Sequence, residues 1–111
     1  MSYSVDGHKI EMTRGDTVKI RVGLKYKQTG ETYVPQEGDK ITFTAVNPID
    51  EAKAIEKEIP TDTLLLSLSP DDTANLTARQ YSFDVQLTYA NGDIDTFIDD
   101  GVLNIGKDQT K

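Results

Sequence analysis

Residues 79–98 read RQYSFDVQLTYANGDIDTFI, and this stretch decides the fold class. From Tyr81 to Tyr89 every second side chain is apolar, a period of two that is typical of a half-buried β-strand. Asn91-Gly92 then favours a two-residue hairpin turn of type I′, in which both residues have positive φ. The stretch therefore predicts a β-hairpin rather than a helix.

A two-residue turn also fixes which residues face each other across the hairpin. The predicted pairs are Tyr89 with Ile94, Leu87 with Thr96, and Val85 with Ile98. This register gathers the apolar side chains of both strands on one face. It leaves Phe97 on the opposite face, toward solvent.

The same alternation recurs on both sides of the hairpin and predicts further strands at 8–14, 17–25, 40–47, 63–69 and 102–105, the last after a turn at 99–101. The segment from Ala52 to Glu58 contains good helix formers, so helix and strand both remain open there. The alternation of lysine and isoleucine before Pro60 favours an edge strand. Tyr33 and Val34 are expected to form at most a short edge strand inside a long connection.

One short helical turn is expected among these strands. Ser69 is a good N-cap residue, Pro70 suits the first helical position, and Asp71 and Asp72 follow in the first turn. This signal predicts a single helical turn from Pro70 to Leu76.

Length and pattern together indicate one domain over residues 1–111, with short flexible ends at about 1–6 and 107–111. Seven or eight short strands with turn signals between them predict an all-β fold. The expected architecture is an antiparallel, immunoglobulin-like β-sandwich, with a small barrel as the alternative.

Composition excludes several classes of function. The net charge of -7 repels phosphate backbones and anionic lipid, so neither nucleic acid nor a membrane is an expected partner. The chain has no cysteine, which rules out disulfides and thiolate chemistry. Residues 1–7 lack the charged leader and apolar core of a signal peptide, so we expect synthesis in the cytoplasm.

No catalytic, cofactor-binding or metal-binding residues are predicted. His8 is the one histidine of the chain, and a surface position at a strand edge is its expected role. The glycines are too far apart for a phosphate-binding loop. The sequence leaves open whether the acidic group Asp93, Asp95, Asp99 and Asp100 binds a hard cation or forms a solvated rim.

Aromatic residues outside the predicted core are the remaining indication of binding. Tyr26 and Tyr33 fall in or beside loops, and Phe97 is expected to face outward. We predict that Tyr26, Tyr33 and Phe97 belong to a contact surface, which suits a subunit contact better than a sugar platform because the chain has no tryptophan.

Four segments together carry a family resemblance: LLLSLSPDDT at 64–73, YSFDVQLT at 81–88, NGDIDTF at 91–97 and GVLNI at 101–105. Residues 14–17 (RGDT) and 38–43 (GDKITF) are similar to the first half of the same pattern. The combination resembles small structural proteins of phages and prophages of Gram-positive bacteria, most closely the N-terminal domains of baseplate upper (tail) proteins.

This resemblance implies a virion structural or assembly protein without catalytic residues. Its partners would be other virion proteins or further copies of itself, and its place would be the tail, the baseplate or the head. The alternative from another class is an immunoglobulin-like module that recognises a carbohydrate or a cell-surface partner.

Overall fold

The computed structural model describes residues 3–6, 8–26 and 29–107, and for residues 3–6 it describes the backbone alone. These residues form eight strands and one helical turn, so the all-β prediction is confirmed. The strands are β1 (Tyr3–Asp6), β2 (Lys9–Thr13), β3 (Val18–Arg21), β4 (Lys40–Val46), β5 (Lys53–Ile59), β6 (Leu65–Leu68), β7 (Arg79–Thr88) and β8 (Ile94–Gly106), with helix α1 (Pro70–Thr73) between β6 and β7.

The strands form two sheets. Six strands pair in the order β1-β2-β8-β7-β4-β5, and β3 pairs with β6 in a second, two-stranded sheet. Alternating side chains of both sheets are buried in one core, where Leu66 and Leu68 of β6 join Phe43 of β4 and Phe83 of β7. The fold is therefore a two-layer β-sandwich with layers of unequal size.

One strand pairing differs from the antiparallel prediction. β2 runs parallel to β8, and Lys9 lies opposite Val102 in this ladder. Parallel neighbouring strands need a long crossover connection, and here the elements from β3 to β7 form the connection between β2 and β8. Sequence patterns report local hairpins, so they gave no sign of this pairing.

The chain near the N-terminus also differs from its prediction. Residues 3–6, expected to belong to a flexible end, form β1 and pair antiparallel with β2, with Tyr3 opposite Met12. A four-residue strand is too short for its periodicity to be recognised. At the other end Lys107 is exposed, and residues 108–111 lie outside the described part of the chain.

The ambiguous segment 52–58 is a strand. β5 lies at one edge of the large sheet, and its side chains Ile55 and Ile59 are buried. Lys57, on the same face, forms an ion pair with Asp72 at 3.1 Å. The edge-strand interpretation is thereby confirmed.

The helical turn begins where the sequence predicts, at Ser69 and Pro70, but α1 ends at Thr73 instead of Leu76. The Ser69 backbone N–H donates to Oδ2 of Asp72 at 2.7 Å. Burial acts to raise the pKa of Asp72, but the bond from Ser69 and the charge of Lys57 outweigh it and lower that pKa. This carboxylate therefore links α1 to the edge of the large sheet.

The hairpin after β7 has a different turn from the predicted type I′. Tyr89 N–H donates to the Asp93 carbonyl at 2.7 Å, and Gly92 N–H donates to the Tyr89 carbonyl at 2.9 Å. Gly92 has a φ of 96°, whereas Asn91 has no positive φ. The turn is thus a three-residue loop that ends in a left-handed glycine, a common alternative for hairpins.

The longer loop shifts the register by one residue. Thr88 now lies opposite Ile94, and Leu87 lies opposite Asp95. Two irregularities on either side of Val85 then restore the predicted pair Val85 with Ile98 and bring Gly101 opposite Phe83. β8 accordingly runs through residues 99–101, so the predicted turn there is wrong.

The longer loop reverses the predicted orientation of Phe97. With Leu87 opposite Asp95, the odd-numbered residues at the start of β8 take the core face, and only 5% of the surface of Phe97 is exposed. One extra loop residue changes which face the following side chains take, and periodicity alone does not reveal it. Ile94, expected to face inward, is 64% exposed.

The turn geometry predicts a cost for any β-branched residue at Gly92, whose φ of 96° L-residues rarely adopt. We expect Gly92→Val to lose about 1 kcal/mol or more and to lower the melting temperature by roughly 4–8 °C in calorimetry. Gly23→Val is the matched control, because Gly23 has an ordinary φ and a Cβ atom added there would meet no other atom within 4 Å. Equal melting temperatures for the two variants would contradict the positive φ of Gly92 in this turn.

Candidate functional site

The three residues predicted for a contact surface lie together in the structure. The Tyr26 ring centroid is 5.9 Å from that of Tyr33 and 5.4 Å from that of Phe97. Tyr89 completes the cluster, with its ring 5.9 Å from Tyr33. The sequence placed Tyr89 in the core, and no local signal joined it to the other three.

Main-chain hydrogen bonds of the 24–33 segment position the two loop tyrosines. Tyr33 N–H donates to the Leu24 carbonyl at 2.7 Å, and Tyr26 N–H donates to the Glu31 carbonyl at 2.9 Å. Lys25 and Thr32 form an isolated antiparallel bridge between them. Residues 24–26 thus pair with residues 31–33, and the Tyr26 and Tyr33 rings lie against Phe97 of β8.

Burial differs within the aromatic cluster, defined as Tyr26, Tyr33, Tyr89 and Phe97. The three tyrosines are half-buried, whereas Phe97 is buried. The predicted outward position of Phe97 is therefore wrong, although its neighbours are the ones the contact-surface hypothesis named. Of the three residues named for the contact surface, Tyr26 and Tyr33 reach the surface.

Carboxylates hold two of the hydroxyl groups. Tyr33 Oη donates to Asp39 Oδ2 at 2.5 Å, and the Gln36 backbone N–H donates to the same oxygen at 2.7 Å. Tyr89 Oη donates to Asp95 Oδ2 at 3.3 Å. No sequence pattern pointed to Asp39, because five residues of irregular chain separate it from Tyr33.

These contacts raise the pKa values of Tyr33 and Tyr89. The hydrogen bond to Asp39, together with burial, raises the pKa of Tyr33 to about 12. Burial raises the pKa of Tyr89, and the hydrogen bond to Tyr26 raises it further. In turn, the bonds from Gln36 and Tyr33 lower the pKa of Asp39.

The raised tyrosine pKa values predict a loss of stability in alkali. The unfolded chain loses the Tyr33 proton near pH 10.0 and the folded chain near pH 12. The stability is therefore complete below pH 10 and falls as the pH rises toward 12. We expect the melting temperature to fall less steeply over this interval in Tyr33→Phe than in the parent. Parallel curves would show that Tyr33 does not carry the effect.

Two surface depressions share Tyr26 as a lining residue. The larger has a volume of about 500 Å³ and is lined by Lys25, Thr29, Glu31, Asp95 and Thr96. The other, about 410 Å³, is lined by His8, Gly23, Lys25, Asp99 and Asp100. Tyr26 and Phe97 contribute to both, so we refer to the two together as the β8 groove.

The acidic residues that the sequence singled out are distributed over separate contacts. Asp100 Oδ1 lies 2.6 Å from His8 Nδ1, Asp95 accepts from Tyr89, and Asp93 accepts from the Asn91 amide at 3.3 Å. Within the described ranges, no three His, Asp or Glu side chains form a group able to hold a metal ion. His8 lies at the rim of the groove, where Asp100 orients its ring.

No helix in the described part of the chain has the length and apolar character needed to cross a membrane. Comparison with protein-family models, with curated proteins and with solved structures gave no match to this chain.

Proposed function

We propose that the protein is a non-enzymatic structural or assembly component of a phage or prophage virion, in the tail, the baseplate or the head, and that it acts through protein–protein contacts. The observation that carries the contact role is the β8 groove, an aromatic-floored depression held by main-chain hydrogen bonds. The virion assignment is supported by the resemblance of segments 64–73, 81–88, 91–97 and 101–105 to baseplate upper proteins.

The net charge of the chain is consistent with this proposal. A chain of net charge -7 gains nothing from phosphate backbones, so its partners are other virion proteins or further copies of itself. It would be made in the cytoplasm and would then become part of the particle assembled there.

Purified particles test the virion assignment. Particles induced from cells that carry the gene are separated on a density gradient, and the chain is quantified by mass spectrometry in the particle fraction and in the free lysate. We expect it in the particle fraction at a fixed ratio to the major virion proteins. An abundant chain confined to the free lysate would refute the assignment, and neighbouring terminase, portal and tape-measure genes would support it.

The second candidate is a module that binds a carbohydrate or a cell-surface partner through Tyr26. The hydroxyl and carboxylate groups of Thr29, Glu31 and Asp95 beside that ring favour it. The burial of Phe97 opposes it, because a sugar platform needs an exposed ring face. Binding of the labelled protein to a glycan array would distinguish this candidate.

A further inference from the structure

We infer that the β8 groove docks an extended segment of a partner protein that bears an arginine, with the guanidinium group against Tyr26. This inference rests on the proposed role in protein–protein contacts and specifies the chemistry of the partner. It concerns the groove lined by Tyr26 and Phe97, and it assigns a role to the acidic residues around it.

The shape of the groove fits an extended chain. Its two parts share Lys25, Tyr26 and Phe97 as lining residues. A peptide segment that occupies both parts would therefore contact Tyr26. A planar guanidinium stacks on an aromatic face of this kind and keeps its N–H donors available at the edges.

The charges around the ring select a cation. Glu31 and Asp95 line the larger part, and Asp99 and Asp100 line the smaller part. Lys25 and His8 are the basic side chains among the described residues of the lining. Asp95 Oδ2 accepts from Tyr89, and Asp100 Oδ1 contacts His8 Nδ1. Glu31 and Asp95, which line the same depression as Tyr26, are the carboxylates that suit a guanidinium donor.

The net charge of the chain acts in the same direction. A total of -7 attracts a basic partner before contact and repels an anionic one. It also repels a second copy of this chain, so the structure favours a different, basic protein as the occupant. Arginine is moreover enriched at protein–protein interfaces, together with tyrosine.

A sugar fits the groove less well. Phe97 is buried, and its ring is tilted by 43° from that of Tyr26, so the two rings do not form a flat platform. A guanidinium is smaller than a pyranose ring and needs the face of Tyr26 alone.

The test uses the full chain and three short probes, namely capped Gly-Arg-Gly-Arg-Gly, the same peptide with lysine, and the same peptide with glutamate. Titrations are followed by backbone amide shifts in two-dimensional NMR. We expect saturable shifts at residues 25, 26, 29, 31 and 95–97 with the arginine peptide, weaker ones with lysine, and none with glutamate. Added salt should weaken the binding.

Charge-neutral variants supply the decisive comparison. We expect Glu31→Gln combined with Asp95→Asn to weaken binding of the arginine peptide by roughly twofold to thirtyfold, the range for two exposed charge contacts. The matched control is Glu58→Gln combined with Asp62→Asn, which removes the same charges at exposed positions away from the groove. Tyr26→Phe, which keeps the ring, should retain binding.

Several results would overturn the inference. Equal weakening in the two double variants would assign the effect to net charge, and equal binding of the glutamate peptide would exclude selection of a cation. Chemical-shift changes outside the groove would place the binding site elsewhere. Another occupant would be indicated by saturable binding of chito-oligosaccharide at the same residues, or by concentration-dependent self-association through the groove. All of these leave the virion assignment intact, since the composition of purified particles tests that separately.

Discussion

Phe97→Ala will strongly destabilise the protein, although the residue belongs to a stretch whose simplest register places it in solvent. Its ring is 5% exposed and contacts Tyr26 and Tyr33 at centroid distances of 5.4 and 5.8 Å. Truncation of a buried phenylalanine costs about 3–5 kcal/mol. For a domain of this size we expect the calorimetric melting temperature to fall by roughly 12 °C or more.

Ile94→Ala is the matched control for this prediction. Ile94 is 64% exposed, and a surface truncation changes stability by about 0.5 kcal/mol or less. The type I′ register predicts the opposite order of effects, with Ile94 in the core and Phe97 at the surface. A larger loss in Ile94→Ala than in Phe97→Ala would therefore contradict the hairpin described above.

Gly101→Ala will be the other strongly destabilising substitution. A Cβ atom at this position would lie 2.5 Å from Cζ of Phe83, the residue opposite it on β7. Phe83 is buried and its ring packs against Phe43 at 5.0 Å between centroids, so relief of the clash requires this ring to leave its packed position. Overpacking of this kind costs about 1–3 kcal/mol, which denaturant unfolding resolves.

A double variant separates this clash from other effects of an added methyl group. Phe83→Leu shortens the side chain that the new Cβ would meet, so Gly101→Ala should cost much less in the Phe83→Leu background than in the parent. Gly23→Ala, at a position with nothing within 4 Å, should be nearly neutral in both backgrounds. Additive losses at 101 and 83 would show that the two positions do not interact.

The elements that a local pattern encodes could be predicted from the sequence. Alternation located β4 and β7, the Ser69-Pro70 signal located the start of α1, and the alternation of lysine and isoleucine indicated that β5 is an edge strand. Each of these signals acts within about ten residues, where propensity and solvent exposure determine the conformation.

Features that depend on distant partners could not be predicted in this way. The parallel pairing of β2 with β8 leaves no mark on either strand's alternation. The irregularities around Val85 insert residues into β8, so residues 98–100 interrupt its alternation of buried and exposed positions. A clue was present at Gly101, because a glycine inside a strand often marks a close approach by another side chain.

The same limit applied to the candidate site. Tyr26, Tyr33 and Phe97 were named from the sequence as one surface, and the structure brings their rings into contact with Phe97 buried. This arrangement depends on the hydrogen bonds of residues 24 and 26 with residues 31 and 33 and on the register of β8, neither of which has a local sequence signal. Tyr89 and Asp39 entered the site for the same reason.

The parallel ladder between β2 and β8 has a kinetic consequence. His8 and Asp100, which meet at its rim, are 92 residues apart in the chain. During synthesis β2 therefore cannot pair with β8 until nearly the whole domain has been made. The entropy cost of closing this long loop is paid late in folding, when the two strands pair. High contact order of this kind slows folding to roughly milliseconds to seconds. During that interval the N-terminal strands have an unpaired edge, which is the period when a growing polypeptide is most prone to aggregate.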